Sequence, residues 1–284
     1  MKAVIALAGA AALGFAAPAA AQDFGFEQAW KTGGFANPES VLYVDALDAF
    51  LVSNIAGGVP LEEDGDGFIS VLGLDGAIET LRFAEGLDAP KGMAAANGTL
   101  FVSDIDELVA IDLETGDVVA RHAVEGAEFL NDVTIGPDGT VLVSDMGTGR
   151  IHALVDGEMT LWSDDARLAS DAGSVNGLLA ETDRLLAYVG DTLWAIDWET
   201  RDFSQVADGL GSGDGMVPDG EGGYVLTNWA GRIFHLDADG AVRTISDTRL
   251  MGVNSADPGY APQAGLFAIP TFFDNAVMAF GRAE

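Results

Sequence analysis

Polar residues that could bind a cation recur along this chain at a near-regular spacing. Each one opens a short apolar segment, and successive positions are 38 to 52 residues apart. The six positions are Glu39, Lys91, Asn131, Asn176, Asp214 and Ser255. If these side chains converge, their carboxylate and carboxamide oxygens form a site for a hard divalent cation, and calcium fits this donor set best because it accepts such oxygens in loose geometry. The alternative is that these residues are only strand starts that face water.

The segments that follow these positions share one pattern of short strands. An apolar strand ends in a hydroxyl residue followed by Asn or Asp, as in Ser53-Asn54 and Ser144-Asp145. A further strand follows, and then a hairpin turn such as Asp156-Gly157, whose glycine tolerates the positive φ of tight turns. No later segment shows a sustained helical period. Six repeats of four strands at this period predict an all-β fold, a six-bladed β-propeller with four-stranded blades.

The last repeat is too short to contain a fourth strand before the chain ends at Glu284. We therefore predict that residues near Phe24–Gly33 supply this strand and close the ring, which leaves no long exposed edge. The first strand of each propeller blade is the innermost one. The six polar positions should consequently face the central channel, where unpaired polar groups are costly unless they bind something.

The amino-terminal segment has the pattern of a secretory signal peptide. Lys2 precedes an uncharged, alanine-rich stretch that ends at a small-residue cleavage motif, Ala19-Ala20-Ala21. We predict that residues 1–21 are a signal peptide cleaved after Ala21, and that residues 22–284 form one propeller domain. The alternative is a membrane anchor, since the stretch could just span a bilayer. Cleavage predicts an exported protein, periplasmic or secreted, without membrane attachment.

The charge of the chain excludes several classes of partner. The chain carries 45 acidic and 13 basic side chains, and its formal net charge is −32. A surface this negative repels phosphate backbones and anionic lipids, so we expect neither nucleic acid nor membrane among its partners. The absence of cysteine excludes disulfides, zinc–thiolate sites and thiol nucleophiles. We expect a monomer whose partner is a small molecule.

Four sequence motifs resemble those of one known family. They are Leu130-Asn131-Asp132-Val133, Val175-Asn176-Gly177-Leu178, Gly213-Asp214-Gly215-Met216 and the segment from Ile269 to Asn275. From about Glu39 to Phe280, the chain is similar to the senescence marker protein, gluconolactonase and luciferin-regenerating enzyme family, and more distantly to the paraoxonases. The resemblance implies a six-bladed propeller that hydrolyses lactones with one divalent metal ion in its channel.

The resemblance also implies roles for individual residues. Glu39, Asn176 and Asp214 correspond to the metal ligands of the family. Asn131 lies beside the metal, as a substrate-binding residue or as a further ligand. The metal ion would most simply be Ca2+, with Zn2+ and Mn2+ as the alternatives. Asp214, or Glu39 failing that, would be the catalytic residue that deprotonates the attacking water.

Two departures from the family pattern concern the substrate. Phe129 stands where sugar lactonases often carry an arginine, and Glu39 is followed by Ser40-Val41 where members tend to have Gly-Pro.

Lys91 is a further candidate for contact with the substrate, because it is a lysine at a position that is expected to face the channel. It would bind a substrate carboxylate or oxyanion, or else form a salt bridge with Glu39 or a neighbouring aspartate.

These features predict an exported, metal-dependent hydrolase of the gluconolactonase type. Its substrate would be a lactone or an ester, opened by metal-activated water in the central channel. The alternative is a non-catalytic exported propeller that binds a ligand or a protein, because a fold alone does not establish activity.

The histidines and most tryptophans are expected to be structural. His122, His152 and His235 fall in strands or turns away from the repeat starts. Trp162, Trp194 and Trp198 are expected to pack between blades. Trp229 is different, because its position after a strand end could bring it to a mouth of the channel.

Overall fold

Short apolar strands separated by tight turns build the chain into six antiparallel sheets. The computed structural model describes residues 25–282, in which it has twenty-five strands and three single-turn 3₁₀ segments. The turn at Asp156-Gly157 is typical, since both residues have positive φ, at 51° and 83°. Such a turn matches the right-handed twist of the strands that it joins. Each sheet is one blade, and the blades are numbered here in chain order.

Blades 1 to 3 each contain four strands in simple up-and-down order. The first strand of the chain, β1 (Phe26–Gly33), belongs to the last blade. Blade 1 consists of β2 (Pro38–Val44), β3 (Ala49–Asn54), β4 (Gly67–Gly73) and β5 (Ile78–Leu87). Blade 2 consists of β6 (Pro90–Ala96), β7 (Thr99–Asp104), β8 (Glu107–Asp112) and β9 (Val118–Ala123). Blade 3 consists of β10 (Leu130–Ile135), β11 (Val141–Asp145), β12 (Arg150–Val155) and β13 (Glu158–Ser163).

Blades 4 to 6 keep this order with two variations. Blade 4 has a two-residue strand, β14 (Ala169–Ser170), before β15 (Gly173–Ala180), β16 (Arg184–Val189), β17 (Thr192–Asp197) and β18 (Phe203–Ala207). Blade 5 consists of β19 (Gly213–Pro218), β20 (Tyr224–Asn228), β21 (Arg232–Leu236) and β22 (Val242–Asp247). Blade 6 consists of β23 (Gly259–Ala261), β24 (Leu266–Thr271), β25 (Ala276–Arg282) and β1. The 3₁₀ segments are Ala166–Leu168, Arg249–Met251 and Phe272–Asp274.

The ring closes through the amino-terminal strand, as the sequence predicted. Strand β1 pairs antiparallel with β25, from Phe26 opposite Arg282 to Gly33 opposite Ala276. The same strand is also tied to blade 1, because Trp30 Nε1 donates a hydrogen bond to the Leu74 carbonyl at 2.9 Å. The six-bladed all-β fold and its closure are therefore confirmed. The predicted signal peptide, residues 1–21, lies outside the described residues and stays a prediction.

The core lies between adjacent blades. Leu51 and Ile69 of blade 1 pack with Leu100 and Val109 of blade 2, and all four side chains are fully buried. Blades 3 and 4 meet through a similar cluster, beside which Trp162 and Trp198 form an edge-to-face contact with 5.9 Å between ring centroids. Trp194 packs against the same cluster, within reach of the Phe203 ring. None of the helical segments in residues 25–282 is long and apolar enough to cross a membrane.

Five of the six innermost strands carry a β-bulge at the same place. In each of them, two residues of the inner strand stand opposite a single residue of the second strand. The residues in the bulges are Glu39-Ser40, Lys91-Gly92, Asn131-Asp132, Asn176-Gly177 and Asp214-Gly215. A bulge bends its strand and redirects the side chains that it contains. In these five blades the repeated polar positions therefore lie in a β-bulge and not in the regular hydrogen-bond ladder of the sheet.

A hydroxyl group from the second strand caps three of these bulges. The backbone N–H of Ser40 donates to Ser53 Oγ at 2.9 Å, and the N–H of Gly215 donates to Thr227 Oγ1 at 3.0 Å. Blade 3 repeats the bond between the Asp132 N–H and Ser144 Oγ, also at 2.9 Å. A bulge removes backbone groups from the ladder, and a buried N–H without a partner is costly. This is the physical reason for the hydroxyl residue that recurs at the end of the second strand.

Glycine in the second bulge position lets neighbouring inner strands approach one another. A Cβ on Gly215 would overlap Asp257 Oδ1, and a Cβ on Gly177 would overlap the backbone carbonyl of Asp214. A residue with a side chain could occupy either position only if the channel widened. The close approach places the first bulge residues of adjacent blades side by side.

Candidate functional site

The first bulge residues of five blades meet in a cavity of about 330 Å³ at one end of the channel, here called the channel cavity. These five polar residues are Glu39, Lys91, Asn131, Asn176 and Asp214, and none is more than 8% exposed. They include all the predicted catalytic, substrate-binding and metal-binding residues. The loops before the inner strands and after the second strands supply the remaining walls.

Ser255, the sixth repeat start, does not belong to this cavity. Its hydroxyl donates to the carbonyls of Asn228 and Arg232, at 2.9 and 3.1 Å. In blade 6 the inner strand β23 begins only at Gly259, so Ser255 lies in the preceding loop and has a structural role. The expectation that all six repeat starts face the channel therefore holds for five.

Three oxygen atoms in the channel cavity have no hydrogen-bond partner although they are buried. They are Glu39 Oε2, Asn176 Oδ1 and Asp214 Oδ2. The Asn176 Nδ2 group donates to Asp214 Oδ1 at 2.8 Å and to the Gly213 carbonyl at 3.3 Å, so its Oδ1 is turned away from both. Buried polar atoms without partners are uncommon in native proteins and call for an explanation such as an ion.

The unpartnered oxygens fit a hard cation. They are two carboxylate oxygens and one amide oxygen, which is the donor chemistry that Ca2+ accepts. Within residues 25–282, no group of three or more His, Cys, Asp or Glu side chains is placed to hold a metal ion. A cation in the channel cavity must therefore use amide oxygens, and Asn176 offers one that nothing else occupies.

The electrostatics of the two carboxylates also fit a cation. Burial raises the pKa of Glu39 well above its ordinary value, and the charges of Asp214 and Asp257 raise it further. Burial and the charge of Asp257 raise the pKa of Asp214 to about 8, against the hydrogen bond from Asn176. Ionised carboxylates are thus unfavourable here in isolation. A divalent cation between them would reverse this balance, because it is the largest local charge in any site that it occupies.

Lys91 lies at the edge of this group as a buried ammonium. Burial lowers its pKa to about 8, while the charges of Glu39 and Asp104 act in the opposite direction. Its Nζ donates to the Ala89 carbonyl at 2.8 Å and lies 4.8 Å from the centroid of the Phe129 ring. No described carboxylate oxygen lies within 4.0 Å of Nζ, so the salt bridge considered from the sequence is not formed.

A second layer of carboxylates lies behind the site, and sequence reasoning did not assign it a role. Asp132 accepts hydrogen bonds from the backbone N–H groups of Val133 and Leu178, at 2.7 and 2.6 Å. Asp257 accepts a hydrogen bond from Ser40 Oγ at 2.5 Å. Two of these residues, Ser40 and Asp132, occupy the second bulge position, directly after a residue of the cavity. That adjacency was the available sequence signal for them.

The acidic residue at the end of the second strand holds the loop that leads to the site. Asp104 accepts hydrogen bonds from the N–H groups of Asp88 and Ala89, at 2.9 and 2.7 Å. This fixes the approach to Lys91. In blade 3, Asp145 accepts from the Phe129 N–H at 3.0 Å in the same manner. The recurring Ser-Asp pair is therefore a support for the channel residues and not only the end of a strand.

The outer walls of the channel cavity are apolar. Its apolar lining residues are Ile55, Pro60, Phe129, Met146, Trp229, Phe272 and Phe273. Trp229 thus reaches the mouth of the channel, where its ring contacts those of Phe272 and Phe273. Phe129, which the sequence analysis singled out as a departure from the pattern that the chain resembles, contributes a ring to the wall.

The three histidines do not line the cavity. His235 Nε2 lies 2.8 Å from Asp219 Oδ2, and His122 Nδ1 lies 3.0 Å from the Gly157 carbonyl. His152 is buried in blade 3, with Nε2 3.9 Å from Asp145 Oδ2. These positions agree with structural roles.

Comparison with known families gives one match, which covers most of the chain. The sequence model described as the SMP-30/gluconolactonase/LRE-like region matches residues 69–249. No curated protein matches the sequence significantly. The matched region spans the inner-strand residues Lys91, Asn131, Asn176 and Asp214, whereas Glu39 precedes it.

Solved structures of similar fold include both lyases and a candidate gluconolactonase. A streptogramin B lyase is 11% identical, with a TM-score of 0.65 over 91% of this chain and 97% of that one. A catalytically inactive virginiamycin B lyase from Staphylococcus aureus, with quinupristin, is 12% identical, with a TM-score of 0.59 over 91% and 100%. The candidate gluconolactonase is 16% identical, with a TM-score of 0.65 over 90% and 91%. At these identities the likeness supports the fold, and function must be argued from the site.

Proposed function

The chain belongs to the SMP-30/gluconolactonase/LRE-like family, and from that premise we propose that it is a metal-dependent hydrolase that opens a lactone or an ester in the channel cavity. Glu39, Asn176 and Asp214 would hold the metal ion, with Asn131 beside it. The ion would most simply be Ca2+, and Zn2+ or Mn2+ are the alternatives. The observation that carries the proposal is the set of three buried oxygens without partners on these residues.

The cation would polarise the substrate carbonyl and acidify water, which is the chemistry that no side chain of the cavity supplies by itself. The residues of the chain do the rest. Asp214, or Glu39 failing that, accepts the proton of the water that attacks the carbonyl carbon. The bond between the carbonyl carbon and the ring oxygen then breaks, and the departing oxygen takes up a proton. The product is a hydroxy acid, or an acid and an alcohol if the substrate is an ester.

The surroundings of these carboxylates suit that reaction. The bond from Asn176 Nδ2 holds the Asp214 carboxylate in one orientation. The Lys91 ammonium is positioned on the Ala89 carbonyl, and its charge favours the negative charge that develops on the substrate oxygen. The Asn131 amide can donate to the substrate. The apolar walls exclude bulk water, which strengthens each of these electrostatic interactions.

We also propose that the protein acts outside the cytoplasm, in the periplasm or after secretion. This proposal rests on the signal-peptide pattern of residues 1–21. We propose that the protein is a monomer there and that its substrate is a small molecule. Mass spectrometry of the mature protein from cell fractions tests this, since cleavage after Ala21 should leave Gln22 as the first residue.

Binding without turnover is the second candidate function. It is favoured by Phe129, a ring where the family pattern often has a cationic side chain. A panel of lactones and aryl esters separates the two functions. Acid release is measured with Ca2+, Zn2+ or Mn2+, and again with chelator.

The decisive variants change the residues with unpartnered oxygens. Glu39→Gln, Asn176→Ala and Asp214→Asn should each lower lactone turnover by about 100-fold or more, and chelator should do the same to the unchanged protein. The matched control is Glu114→Gln, because Glu114 is an exposed acid on a turn of blade 2 outside the cavity. Turnover that survives both chelator and all three substitutions would refute the proposed mechanism.

A further inference from the structure

The polarity of the channel cavity is divided between floor and walls. The charged and amide side chains are the five from the inner strands, and the other lining residues add only two polar side-chain groups, the Ser212 hydroxyl and the Trp229 indole N–H. The walls above them are built from aliphatic and aromatic groups. A ligand that reaches the floor must therefore place the rest of its body against apolar surface.

Three aromatic rings form one side of this wall. The ring centroids are 5.4 Å apart between Trp229 and Phe272, 5.8 Å between Trp229 and Phe273, and 5.1 Å between the two phenylalanines. The segment that carries the two phenylalanines is fixed, since the Phe273 N–H donates to Asn254 Oδ1 at 3.2 Å and Asn37 Nδ2 donates to the Phe272 carbonyl at 3.3 Å. The backbone of Trp229 is held separately, because its N–H donates to the Ser212 carbonyl at 3.0 Å. The wall is thus preformed and does not depend on a ligand for its shape.

Three exposed apolar side chains lie at the rim of the cavity or next to a residue that lines it. Phe273 is 63% exposed although it is held in place at the cavity, and Val59 and Leu61, which flank the lining residue Pro60, are each 49% exposed. Exposed apolar groups that cluster at the mouth of a pocket are typical of sites that receive an apolar ligand.

We infer that the substrate carries a hydrophobic substituent, and this inference rests on the proposed hydrolase function. The substrate is an alkyl- or aryl-substituted lactone or ester and not a polyhydroxylated sugar lactone. Phe129, Trp229 and Phe273 are the specificity-determining residues. The hydroxyl groups of a sugar ring would lose water at these walls, where Ser212 and Trp229 are the only side chains that offer a partner, and each hydroxyl left without one lowers affinity by about tenfold or more. A buried methylene instead raises affinity about fourfold.

Three six-membered lactones test this inference with the ring kept constant. They are glucono-1,5-lactone, unsubstituted δ-valerolactone and δ-decalactone, whose ring bears a pentyl chain. We expect kcat/KM for δ-decalactone to exceed that for δ-valerolactone by about tenfold or more, and glucono-1,5-lactone to be the poorest of the three. A preference for glucono-1,5-lactone would overturn the inference and leave the hydrolase function standing.

A substitution of Phe273 at the rim tests whether the aromatic wall causes the preference for δ-decalactone over δ-valerolactone. Phe273→Ser should reduce the ratio of kcat/KM between δ-decalactone and δ-valerolactone by about tenfold, and Phe273→Leu should retain most of it. The control is Val119→Ser, because Val119 is 60% exposed on the outer strand of blade 2 and lies outside the cavity. An unchanged ratio in Phe273→Ser would overturn the assignment of Phe273.

A binding measurement keeps this inference distinguishable from the hydrolase function. 2-Pentylcyclopentanone has the carbonyl and the chain but no ester bond, and glucose has the hydroxyl groups. Calorimetry should show binding of the ketone, at least tenfold weaker in Phe273→Ser, and tighter than that of glucose. This result with no turnover of any lactone or aryl ester in the panel would refute the hydrolase and retain the apolar pocket. If glucose bound more tightly, or if neither bound and no lactone were turned over, the inference would be wrong.

Discussion

Asn176 of blade 4 and Asp214 of blade 5 share a hydrogen bond of 2.8 Å, and each keeps one buried oxygen without a partner. The bond joins adjacent blades at their first bulge residues. It fixes the unsatisfied oxygens on a preformed framework, so a cation could bind them with little rearrangement. A charged side chain in this position destabilises the protein when no cation is bound, and this leads to the first prediction.

Asp214→Asn should stabilise the protein in chelator and abolish its response to calcium. The folded-state pKa of Asp214 is raised to about 8, so the unfolded chain ionises first and stability is lost as the pH rises from about 4 toward 8. We therefore expect the variant to melt above the unchanged protein in chelator at about pH 8.5. Calcium at a hundredfold excess over its Kd should stabilise only the unchanged protein, by about 2.7 kcal/mol. Scanning calorimetry measures both effects, and an equal calcium response in the variant would contradict the proposed ligand set.

Lys91→Met should lower kcat/KM by about tenfold or more with little loss of stability. The substitution keeps the length and the apolar stem of the side chain, and it removes an ammonium that burial disfavours. What it takes away is the positive charge beside the reacting carbonyl. The measurement is steady-state kinetics beside a melting curve. Full activity in Lys91→Met would show that this lysine only packs against Phe129.

Thr227→Val should destabilise the protein and disturb the site, whereas Thr227→Ser should be nearly neutral. The Thr227 hydroxyl accepts the hydrogen bond of the Gly215 N–H, and both groups are buried. Valine has the same shape but leaves that N–H without a partner, at a cost of about 1–3 kcal/mol. Because Gly215 shares its bulge with Asp214, turnover should fall as well. Urea unfolding and lactone kinetics test both parts, and a stable, fully active valine variant would show that the hydroxyl does not support the bulge.

Asp219→Asn should destabilise the protein at neutral pH and have less effect in acid. Burial raises the pKa of Asp219, but hydrogen bonds from His235 and from the backbone of Glu221 and Gly223 outweigh it and lower the pKa below its ordinary value. The contribution of this carboxylate is thus complete above about pH 4 and is lost as the pH falls through the lowered folded-state pKa. We expect a loss of about 1–2 kcal/mol at pH 7 that shrinks below pH 4. Urea titrations across this pH range measure the free energy of unfolding of both proteins. A loss of stability that does not change with pH would show that the ionised Asp219 carboxylate is not the stabilising form.

The fold could be predicted from the sequence because each blade is a local unit. The strands within a blade are consecutive and are joined by short turns, so their pairing depends on neighbouring residues. The closing strand could be predicted by counting, since the last repeat lacked one. The five polar residues of the cavity followed from their equivalent places in the repeat, which symmetry brings to one axis.

The rest of the site depends on distances that no repeat reveals. Asp257 reaches Ser40 across the join between blades 6 and 1, although 217 positions separate them in the sequence. The apolar wall comes from loops after the second strands, such as those of Ile55 and Trp229, which differ in length from blade to blade. Their convergence is set by the curvature of the ring. The β-bulges could likewise not be predicted from the sequence. One extra residue on the inner strand leaves the pattern of polar and apolar residues nearly unchanged.

The pairing of β1 with β25 has a consequence for how the molecule comes into being. Blades 1 to 5 are each built from contiguous chain, but blade 6 is complete only when β25 has paired with β1. Until then the site residues Glu39 and Asp214 belong to an open arc, with its terminal blades unsealed. The ring is thus sealed by a contact between two strands that lie more than 240 residues apart in the sequence. An extension fused just before Phe26 would lie beside the strand pair that closes the ring.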